Sequence, residues 1–299
     1  MLQAVWLLWL LAQPPYQGFR AQSLEFLRQD SLTVLHLTGQ VEITLNEGIT
    51  AYAQEAFYTE KTGLARLLGG VRVAFPWGTI TARRLVYRRP LNLSLFEDSV
   101  VVTDTGGRRV QARRLAYRPD TAWFQAPRLY DPRRALRLEA DTGWATQQRG
   151  KFWRHAVLWW HDSSEVRADT LWLLQDTVLA QGRAAVRSGR FQGLADRVKI
   201  TETWLRLEDT ARVSWARSRL EAATVQIWQE DSSRYRVQGV DAARLEAVGE
   251  RGTLRLTADT LWLFVVQDTL QNLRARSVHS GEYLETPKES KDGANPENP

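Results

Sequence analysis

Small and apolar residues recur along the chain at a nearly constant interval. Eight segments begin with alanine and continue with two polar or variable residues, an apolar residue, a spacer and a second apolar or aromatic residue. They start at Ala53, Ala82, Ala112, Ala140, Ala168, Ala195, Ala222 and Ala258, at intervals of 29, 30, 28, 28, 27, 27 and 36 residues. A ninth match starts at Ala21, 32 residues before the first. Such a period is typical of a solenoid or propeller, in which each unit buries its apolar face by stacking on its neighbours.

The segments between these copies read as β-strands. GGVRVAF (69–75) and ARVSWA (211–216) alternate in polarity, are rich in β-branched residues and are bounded by turn residues. Each repeat therefore contains two strands and two turns. A repeat of about 28 residues leaves little room for the two amphipathic helices of a helical solenoid. The pattern predicts an all-β, antiparallel solenoid of eight to nine repeats.

Two positions of the repeat predict the interior. Counted from the alanine, positions three and five are uncharged in every copy, and by the two-residue period of a strand they share one face. The step of three from the alanine breaks this period and predicts a bulge or corner. Position four faces the other way, and Trp144, Trp172 and Trp262 occupy it in three copies. The opposite assignment of inside and outside at these later copies stays open.

The two ends of the chain differ from the repeats. Residues 1–20 contain the apolar run AVWLLWLLA followed by two prolines, and we interpret them as a signal peptide and leader. This run is shorter than the roughly 20 residues of a membrane-spanning helix. A hydrophobic start on a cytoplasmic protein is the alternative. Residues 21–285 form the predicted repeat domain, and residues 286–299, rich in charge and proline, a predicted disordered tail.

Charge and composition narrow the classes of partner. The formal net charge is +6 and the isoelectric point is about 9.8, which predicts an anionic partner such as a phosphate-bearing lipid, a nucleic acid or an acidic glycan. The absence of cysteine excludes disulfides and thiolate sites. Arginines recur at positions two and six of two adjacent copies, where a phosphate would relieve their mutual repulsion: Arg84, Arg88, Arg114 and Arg118. A solvated outer face is the alternative.

The repeats resemble the OstA-like family of lipopolysaccharide-transport proteins, to which the periplasmic protein LptA belongs. The resemblance extends over about residues 21–285. The segments that carry it are LTGQVEI (37–43), GGVRVAF (69–75), ITARRLVY (80–87), VQARRLAY (110–117), VRADTLWL (166–173) and LTADTLWL (256–263).

This resemblance implies a folded-over antiparallel sheet, open along one side, that carries lipopolysaccharide or a related glycolipid through the periplasm toward the outer membrane. The four arginines above would then contact the headgroup. Edge strands would join the chain to itself or to other transport components. The groove that holds the acyl chains would be lined by positions three and five: Leu85, Tyr87, Leu115, Tyr117, Leu171, Leu173, Val198, Ile200, Val225, Ile227, Leu261 and Leu263.

Other classes of function make different structural predictions. A structural or adhesive solenoid, the main alternative, would have a closed, packed interior and no lipid ligand. A nucleic-acid binder would need aromatic residues outside, beside the arginines, and we do not predict one because the aromatic residues lie at interior positions and the chain is predicted to be exported. The sequence contains no catalytic or metal-binding motif that we can justify, so we predict neither an enzyme nor a cofactor or metal site.

Overall fold

The computed structural model describes residues 18–29, 32–45, 48–76, 78–118, 121–146, 148–160, 164–189, 191–231, 233–249 and 251–285. Apart from 3-10 conformation at Gly48 and a short 3-10 helix at Arg89–Leu91, the regular structure of these residues is β. No helix among them is long and apolar enough to cross a membrane. The predicted disordered tail and most of the predicted leader lie outside the described residues, whereas residues 18–20 form the first strand.

The strands follow one another with short turns. The first fifteen are β1 (Gly18–Arg20), β2 (Ser23–Gln29), β3 (Leu32–Thr44), β4 (Thr50–Thr59), β5 (Leu64–Phe75), β6 (Gly78–Arg88), β7 (Leu93–Asp104), β8 (Arg109–Arg118), β9 (Thr121–Gln125), β10 (Arg128–Asp131), β11 (Leu136–Glu139), β12 (Thr142–Ala145), β13 (Gly150–Trp160), β14 (Ser164–Leu173) and β15 (Val178–Ser188). The last six are β16 (Phe191–Ile200), β17 (Trp204–Trp215), β18 (Ser218–Gln229), β19 (Arg234–Val248), β20 (Gly252–Val266) and β21 (Thr269–Glu285).

The chain divides into two compact units. The first consists of Met1–Gly189 with Lys199–Glu202, and the second of Arg190–Val198 with Thr203–Pro299. Within the first unit, β3 to β8 each pair antiparallel with the next strand in sequence. Within the second, β17 to β20 do the same. The all-β, antiparallel fold class is confirmed, while the number of repeats and the domain boundaries at residues 20 and 285 stay predictions.

A β-bulge with unusual backbone geometry lies on the strand opposite the repeated alanine. Gly69 and Gly70 of β5 have φ angles of 79° and 82°, and together they oppose a single residue, Arg83, because the register shifts between Leu68 and Val71. The same shift surrounds other pairs with positive φ, at residues 98–99, 209–210 and 241–242. Two residues opposite one is the definition of a β-bulge. The step of three in the repeat predicted a bulge or corner, and the structure shows a bulge, which lies on the strand opposite the alanine.

The predicted facing of the strands is confirmed as well. Position three is buried in every copy, from Ala56 to Leu261. Position four is partly or fully exposed in every copy, and Trp262 has 39% of its surface exposed. The alternative in which inside and outside exchange at the later copies is therefore wrong.

Candidate functional site

Two rows of inward side chains run across the first strands of the first unit. Cross-strand pairing from β3 to β8 aligns one row as Leu37, Ala56, Leu67, Leu85, Phe96 and Leu115. The neighbouring row, two residues along each strand, is Leu35, Tyr58, Ala65, Tyr87, Ser94 and Tyr117. Large and small residues alternate in places, so the rows do not fill the interior uniformly.

A cavity of about 700 Å³ opens where the rows contain small residues. Ala56 and Ala65 are part of its wall, together with Leu37, Leu67 and Leu85. Phe19 of β1 and Phe26 of β2 also line it, and Phe26 is 71% exposed. The wall is predominantly apolar, and the volume lies within the roughly 300–1,000 Å³ of small-molecule sites. An apolar ligand suits such a space.

Polar groups lie at one part of the cavity wall. Tyr58 and Tyr87 flank Ala65 on adjacent strands, and Glu60 and Arg89 are exposed residues that also line the cavity. Burial raises the pKa of the Tyr87 phenol above 10.0, the nearby Arg89 guanidinium lowers this pKa, and Tyr58 raises it. Among the described residues no carboxylate forms an ion pair with Arg89. Its positive charge is therefore available to an anionic group at the cavity mouth.

Bulky side chains end the cavity at β7 and β8. Beyond Leu85 the first row continues with Phe96, which is fully buried. Beyond Ser94 the second row continues with Tyr117, which is 2% exposed. Phe96 on β7 and Tyr117 on β8 fill the interior beyond Leu85 and Ser94, so the open space is limited to the first strands of the unit.

The twelve residues predicted to line a groove fall into two groups. Leu85 and Tyr87 line the cavity. The other ten are buried at positions three and five, with exposed fractions of 6% or less: Leu115, Tyr117, Leu171, Leu173, Val198, Ile200, Val225, Ile227, Leu261 and Leu263. Their predicted contact with lipid stays a prediction.

The interior of the second unit contains aromatic side chains packed against one another. The Phe191 ring lies 5.8 Å from the Trp215 ring and 4.7 Å from the Tyr235 ring, measured between centroids. Trp215 is 1% exposed. The interior around these three rings is packed, as it would be in a structural solenoid.

The four arginines predicted to contact a headgroup lie on the outward face. Arg84 and Arg114 both form ion pairs with Glu97, a carboxylate whose side chain is only 5% exposed, and the Arg114 Nη2 atom is 2.6 Å from Glu97 Oε1. The repulsion between these two arginines is thus relieved by a buried glutamate between them. Arg88 and Arg118 are exposed at the ends of β6 and β8. Their headgroup contact stays a prediction.

Sequence reasoning missed the residues that build the mouth of the cavity. Glu60 and Arg89 lie in or next to turns, outside the repeated positions. Phe26 could have been found, because it occupies position five of the copy that begins at Ala21. The limited extent of the open space depends on which side chains face one another across strands, and the repeat pattern alone does not contain that information.

Comparison with known proteins finds similarities among solved structures. No family model matches the chain, and no curated protein matches it. Among solved structures, the chain is similar to LptH of Pseudomonas aeruginosa, described as the LptA-homologous periplasmic component of the lipopolysaccharide transport device. The similarity covers 32% of this chain and 77% of that one, with 16% identity and a TM-score of 0.30.

Proposed function

We propose that this chain binds lipopolysaccharide or a related glycolipid in the periplasm and helps move it toward the outer membrane. The single observation that carries the proposal is the apolar cavity of about 700 Å³ in the first unit. The resemblance of the repeats to OstA-like proteins supports it. Removing acyl chains from water contributes roughly 0.8 kcal/mol per CH₂, so an apolar cavity of this kind stabilises a chain end strongly.

The cavity wall orients such a lipid. Acyl chains lie against Leu37, Leu67 and Leu85, and the anionic headgroup lies at the mouth, beside Arg89. Arginine binds phosphate with two parallel hydrogen bonds, and near a low-dielectric wall such a contact is stronger than in water. The predicted contacts of Arg84, Arg88, Arg114 and Arg118 with the headgroup remain part of the proposal, on the outward face.

Native mass spectrometry of the chain purified from its own envelope, followed by extraction of bound lipid, tests the proposal. We expect a copurifying acylated glycolipid. Ala65→Trp fills the cavity between Tyr58 and Tyr87 and should abolish copurification, and Ala65→Leu, a smaller addition, should reduce it if the tryptophan variant does not fold. Thr81→Trp, which adds the same ring on the outward face, is the matched control. Equal lipid occupancy in folded Ala65→Trp would contradict the proposal.

The headgroup contact has its own variant. Replacing Arg89 by glutamine should weaken lipopolysaccharide binding about tenfold, which is the usual effect of losing one charge-assisted hydrogen bond. A protein that stays free of lipid when lipopolysaccharide is added would favour the structural or adhesive solenoid instead.

The edge strand β21 is where we expect other protein chains to bind. Among the described residues β21 pairs only with β20, so its other edge has no neighbouring strand there. Its residues Val278, Tyr283 and Leu284 are exposed. An unpaired edge adds strands from other chains through main-chain hydrogen bonds. We infer that a second copy or another transport component pairs there. Size-exclusion chromatography of Val278→Pro and Val278→Lys against the unaltered chain tests this, and unchanged assembly in both would remove β21 from the proposal.

A further inference from the structure

Three tryptophans and a lysine form one row on the outward face of the first unit. Cross-strand pairing places Trp123 opposite Trp144, Trp144 opposite Lys151, and Lys151 opposite Trp172. The row crosses β9, β12, β13 and β14, and at a strand spacing of about 4.8 Å it is roughly 14 Å long. Trp123 is 40% exposed, and the other three residues are half-buried. We call this row, with Arg149 and Trp153 beside it, the tryptophan face.

Two cations lie against the rings of this face. The Lys151 Nζ atom is 4.7 Å from the Trp172 ring centroid and 5.9 Å from that of Trp153. The Arg149 Cζ atom is 5.6 Å from the Trp144 centroid. In the described part of the chain, neither cation forms an ion pair with a carboxylate. Many other arginines of this protein form ion pairs with carboxylates. The two cations of the tryptophan face do not, so their positive charge is uncompensated.

The neighbouring outward positions are also free of acidic residues. One row further along the same strands, the cross-strand partners are uncharged from Gln125 to Gln181, and Arg114 at the end of this row forms an ion pair with Glu97. These residues are Arg114, Gln125, Thr142, Trp153, Thr170 and Gln181. A surface with aromatic rings, cations and no carboxylate in these two rows is complementary to an anionic partner.

The ring arrangement decides what kind of anionic partner fits. Trp144 and Trp172 meet edge to face, with 89° between their planes, and each ring has a cation over it. Nucleobases bind proteins by stacking on open aromatic faces, and these faces are partly covered. Indole edges beside cations instead match the headgroup level of a bilayer, where tryptophan is enriched and lysine or arginine attracts anionic lipid.

We propose that the tryptophan face docks this chain onto the surface of an anionic lipid bilayer. Docking would position a carrier beside the membrane, but it uses the outward face and does not depend on the cavity. Each cation near an anionic surface contributes about a fivefold change in partitioning. Trp123 contributes by placing its exposed ring among the headgroups.

Sedimentation of the full chain with vesicles tests this proposal. We expect binding to vesicles of phosphatidylcholine mixed with phosphatidylglycerol, little binding to phosphatidylcholine alone, and a blue shift of tryptophan emission on binding. Lys151→Gln should weaken partitioning about fivefold, and Arg149→Gln with Lys151→Gln about thirtyfold. Trp123→Ser should also weaken it. Trp262→Ser, at an equally exposed tryptophan of the second unit, and Arg183→Gln, at an arginine paired with Asp169, are the matched controls.

Each outcome distinguishes this proposal from its alternatives. Equal partitioning of the unaltered chain and the Arg149→Gln, Lys151→Gln variant would overturn it. So would loss of binding to a single-stranded oligonucleotide in that variant with no change in vesicle binding, since the partner would then be a nucleic acid. Ala65→Trp, which closes the cavity, should bind vesicles normally. Loss of vesicle binding in Ala65→Trp alone would show that vesicles were bound through the cavity, and would contradict docking by the tryptophan face.

Discussion

Gly143 of β12 lies directly opposite Phe152 of β13, and the Phe152 ring occupies the space that a side chain at position 143 would need. The copy that begins at Ala140 is small at position three for this reason. A neighbouring strand supplies the missing volume, so the row stays filled and Phe152 is only 3% exposed.

Substitution of Gly143 by alanine should destabilise the fold. A methyl group would overlap the Phe152 ring, and overpacking of this kind costs about 1–3 kcal/mol. Urea unfolding of the full chain should give a lower midpoint with an unchanged slope. The double variant Gly143→Ala, Phe152→Leu should recover part of the loss. Gly249→Ala is the control, because the nearest atom to a methyl there is 3.8 Å away, and equal effects at both glycines would contradict the packing explanation.

The burial of Glu97 leads to a second prediction, in which removing the two arginines and removing the carboxylate have unequal effects on stability. Its side chain is 5% exposed, whereas those of Arg84 and Arg114 are 48% and 56% exposed. Removing both arginines leaves a buried carboxylate without compensation, whereas removing the carboxylate leaves two arginines that water can solvate. The free energy of unfolding should therefore fall by about 3–5 kcal/mol in Arg84→Gln, Arg114→Gln and by only about 1–2 kcal/mol in Glu97→Gln.

Chemical denaturation of the three proteins at neutral pH measures this difference. Equal losses in both variants would mean that Glu97 is compensated by other groups. The result also affects the headgroup hypothesis, because reversing Arg84 and Arg114 to glutamate would weaken lipid binding through unfolding alone. Binding by such variants is informative only in those that stay folded.

How much of this structure could be predicted depends on whether a feature repeats along the chain. Burial of Leu171 and exposure of Trp262 follow from their positions in the repeat, although the sequence left the opposite facing open at these later copies. The end of the cavity could not be predicted, because Phe96 lies on an intervening strand outside the repeated positions and the register that places Tyr117 opposite Ser94 is not contained in the repeat. The tryptophan face likewise arises only when β9 and β12 pair, since Trp123 lies outside the repeated positions.

The bulge residues with positive φ angles give a third prediction. Substitution should lower the free energy of unfolding at Gly70 and raise it at Ala242. Gly70 has a φ angle of 82° and no atom within 4 Å of the position that an added methyl group would take, so Gly70→Ala adds only backbone strain, about 1–2 kcal/mol. Ala242 already has a φ angle of 54°, and glycine would relieve its strain. Ala242→Gly should raise the free energy of unfolding by up to about 1 kcal/mol. Thermal or urea unfolding measures both, and a loss of stability in Ala242→Gly would show that the alanine methyl group contributes more by packing than it costs in strain.

The Tyr87 phenol gives a prediction about pH. Burial raises its pKa above 10.0, so the folded protein holds the proton to a higher pH than the unfolded chain does. Phenolate absorbance, taken as the difference between the unaltered chain and Tyr87→Phe, should therefore titrate above pH 10.0. Arg89→Gln should raise this pKa further, because it removes the charge that lowers it, and Tyr58→Phe should lower it.

The sign of the linked change in stability follows from this direction. Because the folded-state pKa is raised, the contribution of Tyr87 to stability is complete below pH 10.0 and is lost as the pH rises through the folded-state value. The stability of the unaltered chain relative to Tyr87→Phe should thus decrease across that range and stay constant between about pH 7 and 9, below the unfolded value. A ligand with an anionic headgroup at the cavity mouth would neutralise Arg89 and add repulsion to the phenolate. Bound lipopolysaccharide should therefore move the Tyr87 titration further upward in the unaltered chain than in Arg89→Gln, where only the repulsion remains, and equal movement in both would place the headgroup away from Arg89.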